Sequence, residues 1–522
     1  MLDQIRLPST ESMRVIVATL VASLAAGLFG FDTGSIGAIT EMQAFVDDFG
    51  HLSPTLRGVV VAVILLPSAF VGMTAGNVAD KISRKYAIAL GAVIFAIGSA
   101  ISAGATSLGM LIGARCLAGI GEGLFLPVGG VYLAELSPKH LRPHMMLLYQ
   151  VYNAGGVTMG FFVCYGSANI PNSMGWRFPF VLQTFSAVVL AVGCLFMPFS
   201  PRWLLTQGRR EEAEAVLNRL VGPEHAAERR ELLSVPAAQA AARTKSQLDA
   251  MREIWEPGVR GRTILGLVLN VFMQLSGIDF VLFFAPLLFN QAGLDPSTSS
   301  FIASGCTGII LTIGTVVGSF YIDKVGRRKI WIWGGICIAL SQLVLGVFYA
   351  TKVTEKSQAG KYAVIVFIEL FALAFTMSWS LITKLYAAEI QPNRTRAAAT
   401  SFGIGTNQLA NFCVAVSGPA FLASSSYGPY FAYGSFSAVG AFFGWVFMYE
   451  VRGESLEKID EIFEGSPIAI SWPAFFRPTR QRLTVTRRRR NSRHKAATLP
   501  SPEIRTEGVQ LRELGNAAAV ED

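Results

Sequence analysis

Six ionisable side chains stand inside long apolar runs of the chain: Asp32, Arg115, Glu122, Asp279, Glu369 and Lys384. A charge in such surroundings is expensive. It is kept where it binds an ion, carries a proton or meets an opposite charge. Asp32 and Arg115 have opposite signs, and either one buried alone costs on the order of several kcal/mol, so pairing is the favourable arrangement. A carboxylate held by a guanidinium gives up its proton readily, and one separated from it does not. A conformational change that joins and parts such a pair can therefore load and release a proton. Glu122 follows Arg115 by seven residues, two helical turns along one face. It reads as a second titratable group, a partner for Arg115, or a partner for a charge elsewhere. Lys384, in FTMSWSLITKLYAAE (375–389), is the unusual cation.

The surrounding runs define the class of protein. The chain has 522 residues, 52% hydrophobic and 15% charged, where a soluble protein carries about 25% charged residues. Its mean hydropathy is +0.46. Twelve apolar runs, at roughly 15–37, 57–77, 86–104, 108–131, 145–166, 179–198, 262–289, 300–321, 330–350, 362–385, 397–422 and 430–449, are each long enough to cross a bilayer as a helix. The expected fold is an all-α membrane protein. Lys81, Arg84, Lys85, Lys139, Arg142, Lys324, Arg327, Arg328, Lys329, Arg394 and Arg396 fall in alternate loops, which predicts that both termini are cytoplasmic. The net charge of +9 expresses that asymmetry and calls for no nucleic-acid partner. The start of the chain is polar and its first apolar run is too long for a cleavable signal, so that run reads as an uncleaved anchor. The six cysteines lie singly in apolar runs, with neither metal nor disulfide spacing, and read as packing residues. No nucleotide loop or nucleophile–base arrangement stands out, and the five histidines fall in loops or the tail. An enzyme and a bound cofactor are therefore not expected.

The chain repeats itself. GNVADKISRK (76–85) follows the second run and GSFYIDKVGRRK (318–329) follows the eighth. This implies two related six-helix bundles with a site between them. Asp80 and Asp323 beside Arg84, Arg327 and Arg328 read as pairs that hold an inner gate shut. The organisation read from this is 1–199, an N-terminal bundle; 200–260, a cytoplasmic helical linker; 261–450, a C-terminal bundle; and 451–522, an amphipathic helix with a basic tail. The linker contains the amphipathic GRREEAEAVLNRL, and the tail contains GESLEKIDEIF (453–463). Beyond it, Arg, Pro, Ser and Ala predict disorder. The RRRR run (487–490) reads either as a lipid contact or as a solvated tail.

Seven further motifs stand in order: GLFGFDTGSIG (27–37), ARCLAGIGEG (114–123), VYLAELSPKHLR (131–142), WRFPF (176–180), SPRWL (200–204), QLSGID (274–279) and YEVRGESLEKIDEIF (449–463). Together with the repeated loops, the chain resembles the sugar porter family of the major facilitator superfamily from about residue 25 to 463, most like its fungal branch. The resemblance implies two six-helix bundles that rock about a central site, working as a monomer in the plasma membrane. It implies a small-molecule substrate and a proton gradient as energy source. Asp32 stands where proton-coupled members carry the proton and Arg115 where an arginine tunes it; the same pair also reads as a purely structural one. Glu122 stands where the family has a small or apolar residue. Gln150, Gln274 and Asn411 match sugar-binding amides, which both donate to and accept from hydroxyls. Glu135, Glu389 and Arg394 join Asp80, Arg84, Asp323, Arg327 and Arg328 in the cytoplasmic gate.

The departures from the pattern concentrate at the substrate site. Met273, Asp279, Phe283, Phe284, Leu311 and Gln408 replace a glutamine, an asparagine, two tyrosines, an asparagine and a tryptophan. Ser380 and Leu381 replace the Gly-Pro of helix 10, and Phe199 replaces a glutamate before SPRWL. Lys384 stands where the sugar-stacking tryptophan belongs. It reads as a contact for a substrate carboxylate, as a counter-ion for Asp279 or Glu122, or as a lysine reaching toward the cytoplasm. The leading expectation is proton-coupled symport of a monosaccharide or related polyhydroxy compound. A carrier of a sugar acid or other organic anion, a metabolite exporter and, remotely, a nutrient sensor stand behind it.

Overall fold

The computed structural model describes residues 10–137, 141–220, 247–294, 299–392, 394–454, 458–460 and 463. The basic RRRR run, the expected disordered tail and part of GESLEKIDEIF lie outside the described residues, as does the side chain of Asp323.

Among the described residues, nine helical segments are long and apolar enough to cross a membrane. Helices Arg142–Ser167, Arg396–Ser424 and Gly428–Phe447 complete twelve crossings. The first two of these are less apolar because they carry Gln150, Asn153, Asn407, Gln408 and Asn411. In chain order the other spans are 1 (Thr10–Ile39), 2 (Pro54–Ile82), 3 (Arg84–Ala103), 4 (Leu108–Leu136), 6 (Met174–Phe196), 7 (from Arg260), 8 (Ser299–Val325), 9 (Arg327–Ala350) and 10 (Gln358–Glu389). The three named first are spans 5, 11 and 12. Phe70, Phe185, Phe196, Trp333, Leu340 and Phe442 are exposed on the outside of the bundle, as side chains facing lipid should be. Serines cap helices where the chain enters them: Ser53, Ser107, Ser200 and Ser357 accept from Leu56, Met110, Trp203 and Gly360 N–H. Between the halves, helices Pro201–Thr206 and Arg210–Leu220 lie where the amphipathic linker pattern predicts surface helix.

Two spans are broken, and both breaks serve the centre. Span 7 divides into Arg260–Leu275, Ile278–Phe283 and Ala285–Gln291. Gly277 turns the chain at φ +80°, against the ring of Tyr433, where a Cβ would have no room. Span 10 divides at Ser378 into Gln358–Met377 and Trp379–Glu389. The loss of Gly-Pro does not straighten it. Trp379, stacked on Trp331 at 4.3 Å and donating to the Trp331 carbonyl, pins the second segment instead.

The repeated loops make corresponding contacts. Arg84 bonds Glu135 and the Ala79 carbonyl; Arg327 bonds Glu389 and the Ile322 carbonyl. Lys85 reaches the Met197 carbonyl at the end of span 6, as Arg328 reaches the Trp445 carbonyl at the end of span 12. Gly326 turns between spans 8 and 9 with φ +105°, and Ser83 makes the same turn with φ +91°. Glu450 caps the first N–H groups of span 9. Its counterpart in the first half is Phe199, whose ring stacks on Trp203 and takes the Lys85 ammonium at 4.2 Å. A cation–π contact thus replaces the missing carboxylate. The cysteines correct one expectation: Cys164 and Cys194 are buried, but Cys306, Cys337 and Cys413 are exposed on helix faces and pack no core.

Candidate functional site

A cavity of about 90 Å³ lies where the two bundles meet, lined from spans 1, 5, 7, 8, 10 and 11. Gln150, Gln274, Asp279, Lys384, Gln408 and Asn411, all expected from the sequence, line it together. Thr33, Asn153, Thr315, Thr376, Ser380 and Asn407 line it as well; these polar residues stand in apolar runs and were legible as such, but nothing local aimed them inward. Gln274 donates to Asn407 Oδ1 at 3.0 Å. Gln274 Oε1, Asn411 Oδ1 and Asn153 Oδ1 are buried with no hydrogen-bond partner. Buried amide oxygens left open are ready acceptors for hydroxyl groups. Met273 and Leu311 are buried in the same wall. Phe283 and Phe284 pack together and line no part of this cavity.

Beside the cavity, Arg115 grips Asp32 through two parallel bonds, Nη1 to Oδ1 and Nη2 to Oδ2, both 3.0 Å. Asp32 is 3% exposed and Arg115 1%. Arg115 also donates to the Val61 carbonyl. Gln183 on span 6 donates to Asp32 Oδ1 at 3.3 Å and to Ser35 Oγ at 3.2 Å. Gln183 was not singled out by sequence; its one signal is an amide in the apolar run of span 6.

Glu122 makes no ion pair with Arg115, whose two Nη groups are taken by Asp32 and the Val61 carbonyl. Its partners are Ser68 Oγ at 2.9 Å and, from the other bundle, Gln408 Nε2 at 3.3 Å. Both donors converge on Oε1, and Oε2 has no partner. The charge expected opposite Glu122 is therefore an amide.

Lys384 is exposed although it lies deep in the sequence of a span, because its side chain faces the cavity. Among the described residues no ion pair joins it to Asp279 or Glu122. Asp279 lines the same cavity and acts on Lys384 electrostatically without a direct salt bridge, whereas Glu122 is bonded elsewhere.

The gate residues pair within bundles. Arg84 joins Asp80 at 2.6 Å and Glu135 at 3.1 Å in the first. Arg327 joins Glu389 at 3.0 Å in the second. Arg394 reaches Glu253 and Glu256 before span 7. On the opposite face the bundles touch closely. A Cβ on Gly37 would lie 1.4 Å from the Phe283 carbonyl oxygen, and one on Gly58 2.3 Å from that of Val416. That face is closed.

The sequence matches the family model "Sugar (and other) transporter" over residues 18–463. It is 30% identical to Sugar transport protein 7 of Arabidopsis thaliana, covering 85% of this chain and 89% of that one. It is 29% identical to Sugar transport protein MST7 of Oryza sativa subsp. japonica, covering 87% and 92%, and 28% identical to Polyol transporter 5 of Arabidopsis thaliana, covering 88% of each. The fold is similar to a solved proton:xylose symporter, XylE, bound to 6-bromo-6-deoxy-D-glucose, with a TM-score of 0.72, 26% identity and coverage of 87% and 100%. It is equally similar to the inward open form of the xylose transporter XylE from E. coli, with a TM-score of 0.71, 26% identity and coverage of 86% and 99%.

Proposed function

The chain belongs to the sugar (and other) transporter family, and from that premise we propose that it is a secondary transporter coupling the entry of a polyhydroxy compound to that of a proton. The observation that carries this reading is the Asp32–Arg115 pair, buried beside a cavity of open amide oxygens. Protonation of Asp32 removes the charge that holds Arg115, so span 1 and span 4 are freed to shift against each other. Substrate hydroxyls bonded to Gln274, Asn411 and Gln150 draw the bundles together, since these residues come from both halves. A loaded carrier and an empty one can thus exchange faces, whereas a carrier holding only one ligand is held back. Alternating access of this kind needs no covalent step.

The face with the basic pairs is assigned to the cytoplasm, which puts both ends of the chain inside. The closed face bearing Gly37 and Gly58 is then external, and the carrier faces inward. The intrabundle pairs of Arg84 and Arg327 brace each loop, and exchange partners across the bundles when that face shuts. The cavity forms within one chain, which supports a monomer as the working unit, and uptake from outside supports the plasma membrane as its site.

The test is uptake into cells that lack their own hexose carriers, at acidic external pH, with labelled glucose challenged by sugars and polyols. Saturable uptake abolished by a protonophore supports symport. Saturable uptake indifferent to the protonophore sinks coupling and leaves facilitated diffusion.

A further inference from the structure

Lys384 is the one cation among the residues lining the cavity, and among the described residues it makes no direct salt bridge. It projects from the short helix Trp379–Glu389, held in place by the Trp379–Trp331 stack on the side away from the cavity. Its side chain is solvent-exposed and lines the same space as Gln274, Asp279 and Asn411. Among the described residues no direct ion pair engages it; Asp279 acts on it electrostatically within the cavity, and Glu122, the other acid that sequence places as a counter-ion, accepts from Ser68 and Gln408 instead. A lysine kept inside a span, open to a cavity and held by no direct ion pair, is free to turn to a negative group that enters. The rest of the lining fits the remainder of such a ligand. Gln274 and Asn411 leave carbonyl oxygens open to hydroxyl donors. Asp279, acceptor-only when ionised, takes hydroxyl donors and offsets part of the Lys384 charge, so the site has room for no more than one further carboxylate.

We propose that the transported compound is a polyhydroxy carboxylate, a sugar acid with a single carboxyl group, whose carboxylate is received by Lys384 while its hydroxyls bond the amides. This rests on the transport reading above and names its substrate class. A neutral sugar would leave the ammonium of Lys384 with no direct ion pair in a closing cavity, only the field of Asp279, which is costly.

The full-length protein in proteoliposomes, with an inward proton gradient, tests this. Labelled D-glucuronate, D-gluconate, D-glucose and D-sorbitol are compared for uptake, and their binding is followed by thermal shift of the detergent-purified carrier. The expected result is saturable uptake of at least one acid, with an acid-over-neutral preference of tenfold or more. Lys384→Met lowers that preference at least tenfold, and Lys384→Arg restores a substantial part of it. Size-exclusion profiles of both variants report on folding. If neither acid binds or is carried, or if Lys384→Met leaves the preference where it was, the proposal is overturned. Glucose or sorbitol uptake in the same liposomes then shows that the transport reading survives it, and absence of uptake of all four overturns both.

Discussion

Gln408 of the second bundle lies 3.3 Å from the carboxylate of Glu122 in the first, and Ser68 completes the site at 2.9 Å. The two residues are 286 positions apart in sequence. Gln408 stands where the family has a tryptophan, and Glu122 where it has a small or apolar residue. The two departures have therefore met each other. A hydrogen bond is worth about 0.5–1.5 kcal/mol, enough to bias which face of the carrier is open. Glu122→Gln keeps the shape and removes the titration. It is expected to keep substrate exchange while flattening the pH dependence of uptake. A pH–uptake profile unchanged from wild type would reduce Glu122 to a structural contact.

Asp32 and Arg115 act as one unit. Arg115→Ala leaves a buried carboxylate uncompensated and is expected to destabilise the carrier by about 3–5 kcal/mol, read as a lower melting temperature. Asp32→Asn is expected to abolish accumulation against a gradient yet permit counterflow of labelled substrate. Gln183→Leu removes the third hydrogen bond to Asp32 and should shift the pH profile less than Asp32→Asn removes it. Accumulation by Asp32→Asn equal to wild type would place the coupling proton elsewhere.

Gly37 and Gly58 are where the closed face depends on an absent side chain. With carbonyl oxygens 1.4 Å and 2.3 Å from where a Cβ would stand, Gly37→Val and Gly58→Val should block closure and hold the carrier open on that face. Labelling of cysteines introduced along spans 1 and 7 should show that face accessible and transport below a tenth of wild type. Normal transport in both variants would mean that closure is reached by another packing.

Ser83 repeats the turn of Gly326 without being glycine. At φ +91° and ψ 149° it sits in a region that L side chains seldom adopt. Ser83→Gly should stabilise the protein by about 1 kcal/mol. Phe199→Glu tests the same loop: it restores the carboxylate that Glu450 supplies in the other half, next to Lys85. It is expected to fold and to raise stability at low salt, with the gain falling as salt screens it. A loss of stability would show that the aromatic stack with Trp203 is worth more than the charge.

Near the far face, burial pushes the Glu41 carboxyl up although Arg57 pairs with it. Its proton is therefore held to higher pH in the folded protein than in the unfolded chain. The sign follows: its contribution favours folding at pH below the ordinary carboxylate range and diminishes as pH rises through the raised value. Glu41→Gln should flatten the melting temperature between pH 4 and 6, about the range of carboxylate titration. An unaltered slope would sink this assignment.

The sequence by itself determined the twelve spans, the two halves and the family, because hydrophobic periodicity, basic loops and short repeated motifs are local properties that any single helix displays. It also named the six residues Gln150, Gln274, Asp279, Lys384, Gln408 and Asn411, which the fold gathers around one cavity. It could not say that Glu122 meets Gln408, that Gln183 joins Asp32, that Lys384 faces open space, or that the gate arginines pair inside their own bundles. Each of these rests on the rotation and register of helices separated by fifty to nearly three hundred residues. Such register is set by close approaches like Gly37 to Phe283 and by the breaks at Gly277 and Ser378. Only the packed structure fixes which of several chemically sensible partners lies within hydrogen-bond distance.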